Sequence, residues 1–193
     1  MMKTHSTKDD RCRAGFVAYA FFSLLCFAAF PQQVSAQGHE LSNDEFSVQM
    51  PGKPDYDKET NQTHSNYHPY RVSVADVHYF FLLMVRNPSV RKGYEHQALV
   101  LKGHSIGYNA GFKRESEMDG ISVDVTRDRE LRLNGFPGTQ FRIVSSEGPG
   151  VVRFYVTDRF IYTLQVRGAT EEDRAVKAFF DSFTLRRRPT NNR

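Results

Sequence analysis

Seven consecutive apolar residues, Tyr79-Phe80-Phe81-Leu82-Leu83-Met84-Val85, constrain the fold of this chain more than any other stretch. Successive side chains of a strand point to opposite faces. One alternating set here is Tyr79, Phe81, Leu83 and Val85, and the other is Phe80, Leu82 and Met84. Neither face can be left in water, so a strand within Val74 to Arg86 belongs in the middle of a sheet covered by a layer on each side.

The neighbouring segments supply the rest of such a sandwich. Glu45-Phe46-Ser47-Val48-Gln49-Met50 alternates like a half-buried strand and stops at Pro51-Gly52-Lys53-Pro54. Asp55 to Arg71 is polar and reads as a short edge strand or a loop, with Tyr56, Tyr67 and Tyr70 available as an exposed partner surface. Tyr94 to Phe112 has helical spacing, which places Leu99, Ile106 and Ala110 on one face and Lys102, His104 and Asn109 elsewhere. Gly103, Gly107 and Gly111 recur within it. Each costs about 1 kcal/mol against alanine in a helix interior, a cost that close approach to the sheet would offset.

Ile121 to Val125 and Glu130 to Leu133 read as short strands, and Asn134-Gly135-Phe136-Pro137-Gly138 as the turn of a hairpin returning through Phe141. A second hairpin joins Val151–Val156 to Phe160–Val166 through Thr157-Asp158-Arg159, so the meander is antiparallel. Thr170 caps a last helix, Glu171, Glu172 and Asp173 place negative charge on its first turn, and Val176, Phe180 and Phe183 face the sheet. The expected fold is therefore α+β: a single-domain α/β/α sandwich over 45–186, with a mostly antiparallel central sheet and helices near 94–112 and 170–181.

Residues 1–36 read as an export signal. Lys3, Lys8, Arg11 and Arg13 precede an apolar and small-residue run from Ala14 to Phe30, and Val34-Ser35-Ala36 offers small residues for cleavage before Gln37. The run is near the lower length limit of a membrane helix, so an uncleaved anchor is the alternative. Lipidation at Cys26 is disfavoured by Leu24-Leu25 ahead of it. The destination is periplasmic or extracellular, without a membrane span in the mature chain. Both cysteines, Cys12 and Cys26, lie in the leader. The mature domain is thus expected to lack disulfides and thiol or cysteine–metal chemistry, and its roughly 157 residues suffice for a core without staples.

Removing four basic and two acidic leader residues lowers the formal charge from +4 to +2, close to neutral. Arg186-Arg187-Arg188 and Arg193 follow the last apolar residue, and a disordered basic tail over 187–193 fits better than a nucleic-acid patch. Residues 37–44 are likewise expected to be disordered.

Four segments resemble the PsbP-like superfamily of exported and organellar α/β/α sandwich domains. Phe46 to Pro54 (FSVQMPGKP) is similar to its opening strand and Pro-Gly turn, and Gly135 to Ile143 (GFPGTQFRI) to its mid-domain turn and strand. Phe160 to Gly168 (FIYTLQVRG) and Ala178 to Leu185 (AFFDSFTL) resemble the closing strand and helix, so the likeness is strongest over 135–185. Members share a fold and no common activity. The resemblance implies a non-enzymatic module that docks on a larger assembly, and it transfers no functional residues.

Histidine is the one metal-capable residue present in number. His64 and His68 stand four apart in a polar stretch, and His78 lies in the apolar strand two residues from Asp76, a spacing that offers an acid–histidine pair on one strand face. Ser145-Ser146-Glu147-Gly148 lacks a nucleophile-elbow framework, and Lys102-Gly103-His104-Ser105 lacks phosphate-loop glycine spacing. Asp119, Asp124, Asp128 and Glu130 lack calcium-loop spacing and read as hairpin surface. Asn61-Gln62-Thr63 fits a glycosylation acceptor. The sequence points to an exported binding or assembly module of the cell envelope with a protein partner, and without catalysis, cofactor or nucleic acid. The alternative is a small-ligand or metal-binding periplasmic protein using His64, His68 and His78.

Overall fold

The structure, a computed structural model, describes residues 38–56, 66–87 and 93–186. The leader, His64, the Asn61-Gln62-Thr63 acceptor and the tail over 187–193 lie outside the described residues.

An antiparallel sheet of seven strands forms the centre, in the order β3-β4-β5-β9-β8-β7-β6. Its strands are β3 (Asp55–Tyr56), β4 (Tyr67–Val74), β5 (Val77–Val85), β6 (Val123–Leu133), β7 (Phe136–Ser145), β8 (Gly148–Val156) and β9 (Phe160–Arg167). The apolar run is β5, held between β4 and β9 as its two-faced pattern requires. A smaller sheet joins β1 (His39–Ser42), β2 (Phe46–Met50) and β10 (Thr184–Leu185), tying the start of the domain to its end. The segment 37–44, expected to lack order, thus contains a strand, because Leu41 packs against the core and β1 pairs along β2.

Helix α1 (Tyr94–Met118) lies on one face of the large sheet, and helix α2 (Arg174–Ser182) with β2 lies on the other. The chain is an α+β fold in which each sheet face has its own core. On the α2 face Tyr79, Phe81, Tyr162, Leu164, Val176, Phe180 and Phe183 pack together, with Phe46 against Phe81 at 5.2 Å between ring centroids. Burying each such side chain contributes about 1.5–3 kcal/mol. On the α1 face Leu101, Ile143, Val152, Phe154 and Ile161 form the second cluster.

Strand β6 serves both. Val123 and Val125 join the α1 cluster, whereas Leu131 and Leu133 join the α2 cluster, because a register shift between Arg127 and Arg129 reverses the alternation. The two short strands expected here are one bulged strand. Its turn to β7 is tighter than the five-residue signal, since Asn134 and Gly135 alone adopt positive φ, 50° and 84°, and Pro137 and Gly138 pair within the ladder.

Both helices differ from expectation in detail. α2 starts later, capped by Asp173, whose carboxylate accepts from the backbone N–H of Ala175 at 2.7 Å and of Val176 at 3.3 Å. Thr170 is not the cap, and Glu171 is drawn away into ion pairs. α1 is longer, and it is rotated: Leu99 and Ile106 are 66% and 60% exposed, whereas Gln97, Leu101, Ser105 and Ser116 are buried. The cause is a polar underside. Gln97 donates to Asp158 at 2.9 Å, His104 meets the Thr163 hydroxyl at 3.3 Å and the Tyr108 hydroxyl donates to Gln165 at 2.9 Å, which seats the helix along β9. Gly103, Gly107 and Gly111 make no close approach to the sheet, since a Cβ added at any of them would meet nothing within 4 Å.

A polar network closes one end of the α2 face. Arg153, only 9% exposed, donates from Nε to Gln140 at 2.7 Å and from Nη2 to Glu171, and its guanidinium lies 4.3 Å from the Phe180 ring centroid. Gln140 donates to Asp128 at 2.7 Å and to Glu171 at 2.9 Å, Arg142 donates to Asp128 at 2.6 Å, and Arg129 pairs with Glu171. Asp128 is therefore the bulge residue of an internal network and not hairpin surface.

Candidate functional site

Strand register builds the floor of a cleft. On the α1 face Arg71 of β4 stands opposite Phe80 of β5, which stands opposite Gln165 of β9. The next row is Ser73, His78 and Arg167. Neighbouring strands are about 4.8 Å apart, so these six residues form a continuous patch three strands wide. The middle of α1 packs over β6, β7 and β8, and its carboxy-terminal half forms the wall beside the patch with Gly107, Tyr108, Gly111, Phe112 and Glu115. The space between is about 690 Å³, within the range of small-molecule sites. Gly107 and Gly111 leave bare helix backbone along this wall, so the glycine row opens a cavity where the sequence suggested tight packing.

The polar groups of the floor are held in place. Arg71 lies 5.5 Å from the Phe80 ring centroid and Arg167 lies 5.9 Å from that of Phe112. Arg167 makes no ion pair among the described residues. Gln165 is 6% exposed; its Oε1 accepts from Tyr108, and its Nε2 is buried with no partner. Burial pushes the Tyr108 phenol above its ordinary pKa, Arg167 and Arg71 pull it back and Glu115 adds to the rise. Tyr108 is thus a neutral donor that fixes the Gln165 amide. Asp119 and Glu147 border the far end.

Of the sequence-derived histidines, His64 lies outside the described residues, and His68 and His78 do not come together. His68 and His78 are placed by the β4–β5 register on opposite sheet faces, which rules out a shared metal. His68 meets the Tyr56 hydroxyl through Nδ1 at 3.1 Å. Among the described residues no three His, Cys, Asp or Glu side chains gather as a metal set. His78 contacts Ser73 at 2.7 Å, not Asp76, which sits exposed in the β4–β5 turn. That contact matches a nucleophile and its base, but no carboxylate bonds the other ring nitrogen among the described residues and both side chains are exposed; a cross-strand pin accounts for it. Tyr56 and Tyr70 do not form a free aromatic surface either, because their rings meet at 5.1 Å with a 44° tilt and Tyr70 leans on Phe81.

Of the cleft, sequence reasoning placed only His78. Arg71, Tyr108, Gln165 and Arg167 are distant in the chain, and the one readable signal was Gln165, a polar residue inside the strongly apolar run of β9. Compared with known proteins, the chain matches no family model and no curated sequence. No helix among the described residues is long and apolar enough to cross a membrane.

Proposed function

We propose that this chain is an exported, non-catalytic binding module of the cell envelope, and that its working surface is the cleft between α1 and strands β4, β5 and β9, where it takes a small organic ligand. The observation that carries the reading is the Gln165 amide, buried at the cleft floor with one hydrogen-bonding atom unmet. Such a group costs about 1–3 kcal/mol when unsatisfied, and a bound ligand removes that cost. Aromatic walls from Phe80, Tyr108 and Phe112 with a few converging polar groups have the make-up of a ligand site. The resemblance to PsbP-like domains agrees with a module that binds without chemistry of its own.

The test is a thermal-shift screen of the full chain against small organic compounds, repeated on Gly111→Leu, whose side chain projects into the cleft. Ligands stabilise the native state by mass action, so hits should raise the melting temperature of the wild type and leave Gly111→Leu unmoved. Equal shifts in both proteins reject the cleft. Export is checked separately by cell fractionation and by finding Gln37 as the mature amino terminus.

A further inference from the structure

Resting on the cleft as the binding site, we infer that its ligand is a planar aromatic carboxylate, with the carboxylate at Gln165 and Arg167 and the ring system between Phe80, Tyr108 and Phe112. Gln165 and Arg167 are two apart on β9 and so share the cleft face. The Gln165 Nε2 is a donor with no acceptor, and Arg167 is a cation with no ion pair among the described residues. Both groups call for an acceptor, and a carboxylate offers two oxygens to two neighbouring donors.

The surroundings fix the rest of the ligand. Tyr108 holds the Gln165 carbonyl side, which leaves the amide N–H groups to the incoming group. Stacking against Phe112 restrains the Arg167 guanidinium before the ligand arrives, which reduces the ordering cost of binding. The aromatic rings line the same space as these donors, and flat ligands fill such a slot with the largest apolar contact per atom. Glu115, Asp119 and Glu147 stand on the helix-end side and exclude a second anionic group there, so one carboxylate is accepted and dianions are disfavoured.

The probes are 2-naphthoate, 2-naphthamide and naphthalene-2-carboxamidine, which share a ring system and differ in head-group charge. Binding to the full chain is read by naphthalene fluorescence, free of indole background because the sequence has no Trp. Naphthoate should bind at least tenfold tighter than the other two. Gln165→Glu, which keeps an acceptor for Tyr108 but replaces the donor, and Arg167→Gln should each weaken it at least tenfold. Gly103→Ala, away from the cleft, should bind as wild type. Amide or amidine binding as well as naphthoate, and lost in Gly111→Leu, overturns the carboxylate while the cleft stands. Binding of none of the three, or binding that Gly111→Leu leaves intact, overturns both readings. Should Gln165→Glu fail to fold, Arg167→Gln at its half-exposed position carries the comparison.

Discussion

Replacing Gly103, Gly107 and Gly111 of α1 together by alanine should make this protein markedly more stable. A Cβ built at any of the three meets nothing within 4 Å, so no packing term opposes the substitution. Alanine exceeds glycine in a helix interior by about 0.8–1 kcal/mol, and sites without shared contacts add to within a few tenths. The triple variant should therefore gain about 2.5–3 kcal/mol. For a domain of this size each kcal/mol moves the melting temperature by about 2–4 °C, which predicts a rise of roughly 5–12 °C in a scan and a higher urea midpoint at unchanged slope. The internal contrast is Gly138→Ala and Gly150→Ala, where the new Cβ would fall 2.5 Å from Tyr155 Cδ1 and 2.6 Å from the Val166 carbonyl oxygen, and which should destabilise. A triple variant no more stable than wild type would refute the reasoning, because it would mean that the glycine face of α1 is already packed. Gly103→Ala should leave cleft binding unchanged, whereas Gly107→Ala and Gly111→Ala narrow the site.

Burial lowers the His104 pKa to about 4 from 6.5; the unfolded chain takes up the proton first, so stability should fall as pH drops from 6.5 to 4, by up to about 3 kcal/mol. His104→Gln should flatten that limb of a urea-midpoint-versus-pH curve. Burial raises the Asp128 and Glu171 carboxyls, but hydrogen bonds from Arg142 and Gln140, and the charges of Arg129, Arg142 and Arg153, hold both below their ordinary values. Their contribution is complete above about pH 5 and is lost progressively as pH falls below the ordinary carboxylate range, giving a second acid limb that survives in His104→Gln. Arg153→Met keeps the contact with Phe180 but removes one donor to the Gln140 carbonyl and one of the two arginines on Glu171, which keeps Arg129, and should cost about 1–3 kcal/mol by urea melting. Asp173→Ala removes the α2 cap and should cost about 1 kcal/mol.

The sequence is most readable where apolar side chains carry the period. The β5 run located the interior of the sheet, the alternation in β8 and β9 placed their hairpin, and the Val176, Phe180 and Phe183 spacing placed the buried face of the closing helix, though not its start. It misleads where the seat is polar. α1 was oriented by Leu99 and Ile106, yet its lower side carries Gln97, Ser105, His104 and Tyr108 because strand β9 offers Thr163 and Gln165 as partners. No single segment shows that pairing. The cleft is harder still, since its floor exists only once β4, β5 and β9 are in register. The Asp128 network escaped for a related reason: a carboxylate beside arginines looks solvated in sequence and becomes internal only when the bulge turns it inward.

That bulge gives β6 an unusual kind of tolerance. A strand's in-out alternation works like a reading frame of two, and the extra residue near Asp128 is a frameshift that lets the first half be read by one core and the second half by the other. Deleting Asp128 would take out the supernumerary residue itself: Arg127 already pairs with Phe141 and Arg129 with Gln140, neighbours on β7, so Val123 and Val125 would stay on the α1 side and Leu131 and Leu133 on the α2 side. What would go is the carboxylate that Gln140 and Arg142 bond. The extra residue thus supplies a side chain for which a regular ladder has no position, and β6 can shed it without exchanging one core for the other.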